Sequence, residues 1–304
     1  MRVLVTGSSG WLGQTLVPRL RRDGHAVVGL DPLPGATTDV VGSIVDRAMV
    51  RATIHEHGID AIVHAAARHK PHIETHDNSE FVAVNVQGTL NLLEEAVAPG
   101  AKVDRFVFTS TTSLMISQAI RDGRAGGARK AAWIDETLAP LQPRNIYGVT
   151  KLAAEELCRL FHQLHKLPIV VLRTSRFFPE EDDMAHAIAQ SDENTKANEL
   201  LFRRLTVEDA AESHVMALSK APEIGFDTFI VSAMTPFTPE DCGQLIADAP
   251  AVVARHFPHY RDLYAERGWT MFDSIDRVYD ARKAAEKLGF VCKTGFREIL
   301  DSLA

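Results

Sequence analysis

The chain has 304 residues, 45% hydrophobic and 24% charged, with a formal charge of -7 from 40 acidic and 33 basic residues. That length buries one large domain, or one with a small appendage, and the composition is that of a soluble globular protein. The acidic balance argues against nucleic-acid binding, the three dispersed cysteines (Cys158, Cys242, Cys292) form neither a disulfide framework nor a zinc knot, and no apolar run reaches membrane-span length. The opening MRVLVTGSSG leads straight into strand-like sequence with no room for a signal peptide, so a cytoplasmic protein without a membrane partner is expected.

Residues 2–6, RVLVT, are apolar and β-branched and stop at Gly7. Residues 12–23 carry helical spacing through Leu12, Leu16 and Leu20, with Pro18 as an internal objection that predicts a kink or a short first turn. AVVGLD reads as a second strand ending at Asp31, and DAIVHAA (60–66) and RFVFTST (105–111) as further strands, with one long helix over residues 80–98. A helix follows Tyr147, and KLPIVVLRTS (166–175) supplies another strand. Continuous apolar strands separated by helices predict an α/β fold, a Rossmann-type doubly wound parallel sheet over residues 1–175. Beyond it, residues 176–304 read as a smaller C-terminal substrate-binding lobe, with a segment of about 203–232 returning to the sheet through FDTFIVS. Residues 117–130, rich in glycine and arginine, read as an inserted loop, either a basic lid or a surface excursion.

GSSGWLG places Gly7, Gly10 and Gly13 between a strand and a helix. Glycine there permits a tight turn and close approach of a pyrophosphate to the helix N-terminus, although the spacing departs by one residue from the usual dinucleotide fingerprint. Asp31, closing the second strand, is placed to accept hydrogen bonds from an adenosine ribose and to repel a 2′-phosphate, which favours NAD over NADP; a turn-starting aspartate before Pro32 is the plain alternative. Asp46 has two readings, a contact to the adenine edge or the N-cap of the next helix.

NIYGVTK (145–151) sets Tyr147 and Lys151 four residues apart, hence on one helix face. A tyrosine exchanges a proton near neutral pH when neighbouring positive charge favours its phenolate. Thr111, at the carboxyl end of RFVFTST, is placed to hold a substrate oxygen beside it. His69, His72 and His76 in RHKPHIETH do not establish a metal site, and Glu94 and Glu95 read as a solvated helix face.

Taken in order, these motifs resemble the extended short-chain dehydrogenase/reductase family, the NAD-dependent epimerase and dehydratase group. GSSGWLG resembles the nucleotide loop, HAAA (64–67) the strand-four signature, and Asn85 in NVQGT the central-helix asparagine. TST (109–111) resembles the strand end and YGVTK the catalytic pair, while VEDAAESHVMAL (207–218) and VYDARKAAEKLGF (278–290) resemble the return and closing segments. The resemblance implies that Thr111, Tyr147 and Lys151 are catalytic. It implies that Gly7, Gly10, Trp11, Leu12, Gly13, Asp31, Asp46, Ala65, Ala66 and Lys151 hold NAD, and that Asn85 places its helix. It also implies a homodimer built from the helices near Glu80 and Tyr147.

Several positions depart from the family pattern. Met115 and Ile116 stand where nucleotide-sugar enzymes carry Tyr-Gly, and Arg176 where they carry asparagine. Phe202 and Trp269 stand at two diphosphate-reading arginine positions, with Arg203, Arg204 and Arg267 close by, and Thr112 and Ser113 stand in place of the dehydratases' acidic pair. Arg176 is expected either to read a substrate anion alongside Thr111 and Tyr147, or to pair with the acidic run 180–183. Trp133, Phe177 and Phe178 are candidates for a pocket wall. The expected activity is NAD-dependent oxidation or epimerisation at a hydroxyl-bearing carbon of a sugar, sugar acid or nucleotide sugar. The alternatives are a nucleotide-sugar 4-epimerase in the strict sense and a non-catalytic NAD-binding sensor or scaffold.

Overall fold

The computed structural model describes residues 1–177 and 190–303. Its strands run β1 (Arg2–Thr6), β2 (Ala26–Asp31), β3 (Val40–Val41), β4 (Ala61–His64) and β5 (Arg105–Thr111). They continue with β6 (Arg124–Ala125), β7 (Ala128–Arg129), β8 (Ala132–Ile134), β9 (Ile169–Thr174), β10 (Phe226–Val231) and β11 (Arg277–Tyr279). Seven of them form one sheet in the order β10-β9-β5-β4-β1-β2-β3. The pairs β1–β2, β1–β4, β2–β3, β4–β5 and β5–β9 are all parallel. Val3 to Val5, Ala61 to Val63, Phe106 to Phe108 and Ile169 to Leu172 are fully buried, the expected consequence of helices covering both faces.

Contacts divide the chain into two discontinuous compact units, Met1–Leu114 with Asn145–Thr174 and Ala210–Phe229, and Met115–Arg144 with Ser175–Asp209 and Ile230–Ala304. In the first unit, Leu4, Ile62, Phe106, Phe108 and Ile169 pack with Leu92, Leu93, Ala154 and Phe161 from the helices. Helix α1 (Trp11–Arg22) runs unbroken through Pro18, so the proline does not end it; Leu16, Val17 and Leu20 pin the apolar face while Arg19, Arg21 and Arg22 suit the negative C-terminal end. Helix α2 is Arg47–Glu56. The long helix expected over 80–98 is instead three joined pieces, α3 (Asn78–Phe81), a π-helical segment (Val82–Gln87) and α4 (Gly88–Ala96). The widened turn carries buried Asn85, and such insertions recur at functional sites. Glu95 corrects the solvated-face reading: it is fully buried and ion-paired to Arg47 at 2.7 Å and Arg51 at 2.8 Å, two partners distant in sequence.

In the second unit, Phe202, Phe237, Leu245, Val252, Phe257, Tyr264 and Phe296 form a separate core. The segment read as a loop is α5 (Gln118–Arg121), capped by Ser117, followed by the β6–β7 hairpin. Gly126 and Gly127 turn that hairpin with φ of 59° and 81°, the positive values its tight connection requires. Among the described residues no helix is long and apolar enough to cross a membrane.

Candidate active site

In a parallel sheet functional groups collect where the strands end, because every strand points the same way there. Registers of Thr6 with Leu30 and with His64, and of His64 with Phe108, bring the ends of β1, β2, β4 and β5 to one edge. Gly7 leaves β1 with φ 73°, and a Cβ built on it falls 2.7 Å from the Ala66 nitrogen. A Cβ on Gly13 falls 2.3 Å from the Gly7 carbonyl oxygen, so α1 starts as close to the strand end as backbone allows. Gly10, the N-cap, has no side chain with which to cap α1, and the first N–H groups of a helix have no acceptor within it. The result is a bare, positively polarised helix end beside a glycine turn, which fits a pyrophosphate. Leu12 is buried and anchors α1, whereas Trp11 is exposed; Ala65 and Ala66 lie half-buried against the loop.

Asp31 is buried at the end of β2, where one carboxylate oxygen accepts from Ser9 N at 3.1 Å and the other from Leu33 N at 2.9 Å. Each oxygen keeps lone-pair capacity, so the residue fits a ribose diol while also fixing the glycine loop. Asp46 caps α2 by accepting from Met49 N at 3.1 Å, the second of its two readings. Sequence reasoning missed Ser8, Thr37 and Thr38: Ser8 and Ser9 each meet the Thr38 hydroxyl at 2.7 Å, and Thr37 donates to the Ser8 carbonyl at 2.7 Å. No local pattern marks these contacts, because the partners lie some thirty residues apart.

Tyr147 and Lys151 occupy the first turns of α6 (Ile146–His165), whose N-cap Asn145 accepts from Gly148 N at 2.9 Å. Both are buried, and the Thr111 side chain at the end of β5 lies close enough to the Tyr147 phenol to act on its ionisation. Thr111 Oγ1 accepts from Ser113 N at 3.1 Å, which leaves its own proton to donate. Burial pushes Tyr147 up to about 12, opposed by the neighbouring Thr111 side chain. This direction is opposite to the lowering expected from the sequence: the pocket desolvates the phenolate more than Thr111 stabilises it. Burial pulls Lys151 down to about 7, while Cys158 and Glu155 act to raise it. Its Nζ sits 3.9 Å from the centroid of the Phe108 ring.

A buried polar chain supports these groups from below. Asn85 Nδ2 donates to the Arg68 carbonyl at 2.9 Å and to Thr150 Oγ1 at 3.0 Å, and its Oδ1 accepts from Arg68 N at 2.8 Å. Thr89 donates to the Asn85 carbonyl, so it accepts from His64 Nε2, and His64 Nδ1 accepts in turn from the Thr6 hydroxyl. Burial, reinforced by Lys151, holds His64 well below its ordinary value, so it is the neutral tautomer this chain requires. Thr109 bonds His214 at 2.8 Å, and Ser110 donates to Glu155 at 2.5 Å, so neither hydroxyl points to chemistry of its own.

Arg176 belongs to the second unit, where its partner is Glu199 on α7 (Asp192–Glu199) at 3.5 Å. Arg204 reaches the same carboxylate at 2.8 Å, and Arg203 also pairs with it. Burial acts to raise Glu199, but the three guanidinium groups override it and hold the carboxyl low. The acidic run 180–183 and Phe178 lie outside the described residues. A separate cavity of about 420 Å³ in this unit is lined by Met115, Ile120 and Trp133, with Arg124, Lys130 and Cys242. Phe177 is buried. His69 and His72 meet edge to face with ring centroids 4.3 Å apart, and among the described residues no cluster of His, Cys, Asp or Glu has the makings of a metal site.

The chain is similar to known proteins. The chain is 33% identical over 193 residues to the low-salt glycan biosynthesis protein Agl12 of Haloferax volcanii, covering 59% of this chain and 57% of that protein. It is 32% identical over 180 residues to the UDP-glucose 4-epimerase of Mycolicibacterium smegmatis, covering 55% and 53%. The chain thus spans about half the length of the curated relatives it matches. A short-chain dehydrogenase/reductase superfamily protein of Agrobacterium tumefaciens, solved with bound NAD, superposes with a TM-score of 0.68 at 24% identity over 100% of this chain and 96% of that one, a likeness of fold. The model of the NAD dependent epimerase/dehydratase family matches residues 3–225, well over half of the chain, and the protein belongs to that family.

Proposed function

We propose that the protein is an NAD-dependent oxidoreductase or epimerase acting at a hydroxyl-bearing carbon of a sugar or sugar derivative. The observation that carries this reading is the placement of the buried Thr111 side chain beside the buried Tyr147 phenol, one helical turn from buried Lys151 and on the strand edge that holds the glycine loop. Gly7, Gly10, Gly13 and Asp31 would hold the cofactor, and oxidised NAD bound there supplies a hydride acceptor and a positive charge. Thr111 orients the substrate hydroxyl, and Tyr147 takes its proton as the carbon becomes a carbonyl. Lys151, charged in its protonated form, favours the phenolate that accepts that proton. The hydroxyls Thr112 and Ser113 offer no carboxylate pair for eliminating water, which ranks dehydration behind oxidation and epimerisation.

The test is incubation with NAD⁺ and a panel of aldoses, sugar acids and nucleotide sugars. A rise in reduced-nicotinamide absorbance identifies a dehydrogenase, and isomer formation without net absorbance change an epimerase. Tyr147→Phe is expected to lower turnover by at least about a hundredfold, the usual contribution of a positioned proton carrier, and to leave NAD affinity within about twofold. Undiminished turnover in that variant would sink the mechanism. Tight NAD binding with no turnover across the panel would favour the non-catalytic sensor.

We further propose that two copies associate through the helices spanning Asn78–Ala96 and Ile146–His165. Val149, Leu160 and Leu164 are exposed along one stripe of α6, and Val82 is exposed on the other helix. Such a pair buries four apolar side chains from each copy that a monomer leaves in water.

A further inference from the structure

We propose that Glu155 is a positioning residue for the Thr111–Tyr147–Lys151 site: its carboxylate locks the strand under Thr111 to the helix bearing Tyr147 and Lys151, and keeps Lys151 charged. This rests on the reading of that trio as the reacting groups.

Residues 147, 151 and 155 are spaced four apart, so they line one stripe of α6. The Glu155 side chain is almost fully buried, and both its oxygens are occupied. One accepts from Ser110 Oγ at 2.5 Å and from Arg173 Nε at 3.0 Å; the other accepts from Arg173 Nη2 at 2.7 Å. Ser110 directly precedes Thr111 on β5, and Arg173 lies on β9, where it pairs in register with Ser110. One carboxylate therefore ties α6 to two adjacent strands at the level of the reacting groups.

Packing alone does not account for a charge there. Replacing a buried ion pair by apolar groups of similar volume is often neutral or stabilising, and the surrounding core is apolar. What distinguishes Glu155 is its neighbour one turn away. The groups around Lys151 are the Phe108 ring on β5, neutral His64 on β4, and Tyr147, Cys158 and Glu155 on its own helix. Burial pushes the Cys158 thiol well above its ordinary range, so it stays protonated. Glu155 is the one carboxylate among these groups, and it acts to raise Lys151, which burial brings down to about 7. Lysine is charged below that value and loses its charge as pH rises through it. Without Glu155 the loss begins at lower pH, and near neutrality the site lacks its ammonium.

The experiment uses the full chain. Glu155→Gln strands Arg173 as an unpaired buried charge, which threatens folding, so it is paired with the double variant Glu155→Gln/Arg173→Met. Lys151 ionisation is read without turnover, from the pH dependence of its side-chain Cε and Nζ chemical shifts by NMR of isotope-labelled protein, assigned by comparison with Lys151→Met. Glu155→Gln is expected to lower the midpoint by about one pH unit, the scale of a single nearby charge, and the double variant, which also removes the opposing Arg173 charge, by less. Glu155→Asp, which keeps the charge but shortens the reach to Ser110, is expected to hold the wild-type midpoint. The alkaline limb of the turnover profile should shift with the Lys151 midpoint. A midpoint unmoved in the double variant would overturn the proposal. A midpoint that moves while the turnover profile stays put supports the hold of Glu155 on Lys151 and overturns the reading of Lys151 as part of the reaction.

Discussion

At Tyr147 burial pushes the phenol up to about 12, and one turn away it pulls the Lys151 ammonium down to about 7. Both shifts have the same cause, burial, which opposes charge on either side chain, and Glu155 works against it at Lys151. Bringing a positive ring beside them favours the phenolate, which ties proton transfer to cofactor binding. The placement of Tyr147 and Lys151 on one helix face was legible in the sequence because the four-residue spacing is a local property. The Glu155–Ser110–Arg173 clamp was not, since its partners lie 45 and 18 residues away and meet only once the sheet forms. A signal was present in the charged residue at 155, on a helix stripe otherwise heading into the core. Asp31 supports a prediction at this scale. Its carboxylate faces the loop that would hold the ribose, so Asp31→Asn should narrow the preference for NAD over NADP by about tenfold, the equivalent of about 1.4 kcal/mol. Dissociation constants for both cofactors check it; an unchanged ratio would remove Asp31 from cofactor discrimination.

The glycine loop shows how the same residue type serves different ends within one element. A Cβ on Gly13 meets backbone oxygens of Gly7 and Ser8 at 2.3 and 2.5 Å, which no rotamer change relieves, whereas one on Gly10 meets only Gly7 O at 3.3 Å. Gly13→Ala is therefore expected to cost about 1–3 kcal/mol of stability and to weaken NAD binding at least tenfold, while Gly10→Ala stays close to wild type in melting temperature. Thermal unfolding and cofactor titration of both variants decide it; equal melting temperatures would show that α1 can retreat from β1. Strands β1, β5 and β9 were readable because buried parallel strands carry short continuous apolar runs, here Val3–Val5, Phe106–Phe108 and Ile169–Leu172. The π-helical turn at Asn85 was not, because its cause is a set of hydrogen bonds to Arg68 and Thr150 rather than any helix-breaking residue. Likewise the β6–β7 hairpin reads as a loop, since two-residue strands leave no periodicity to detect.

For the whole molecule, the exposed stripe of Val149, Leu160 and Leu164 on α6 bears on assembly. Light scattering coupled to gel filtration is expected to give about twice the 33.5 kDa chain mass, and Val149→Glu with Leu160→Glu should return it to one. A wild-type mass of a single chain at micromolar concentration would exclude the pair. The fold class was legible across the chain because strand and helix alternate over the first 175 residues. The grouping of residues 115–144 with later segments of the chain was not, because it depends on which distant segments meet. The discontinuity of the two units has a consequence for biosynthesis. Strand β9 borders β5 on one side and β10 on the other, yet β10 is made only after the whole of residues 175–225. At roughly 5–20 residues per second the growing chain carries β9 as an open edge for several seconds as it leaves the ribosome. An apolar edge held open that long invites strand addition by other nascent chains, so these seconds are the interval in which a chaperone has most to protect.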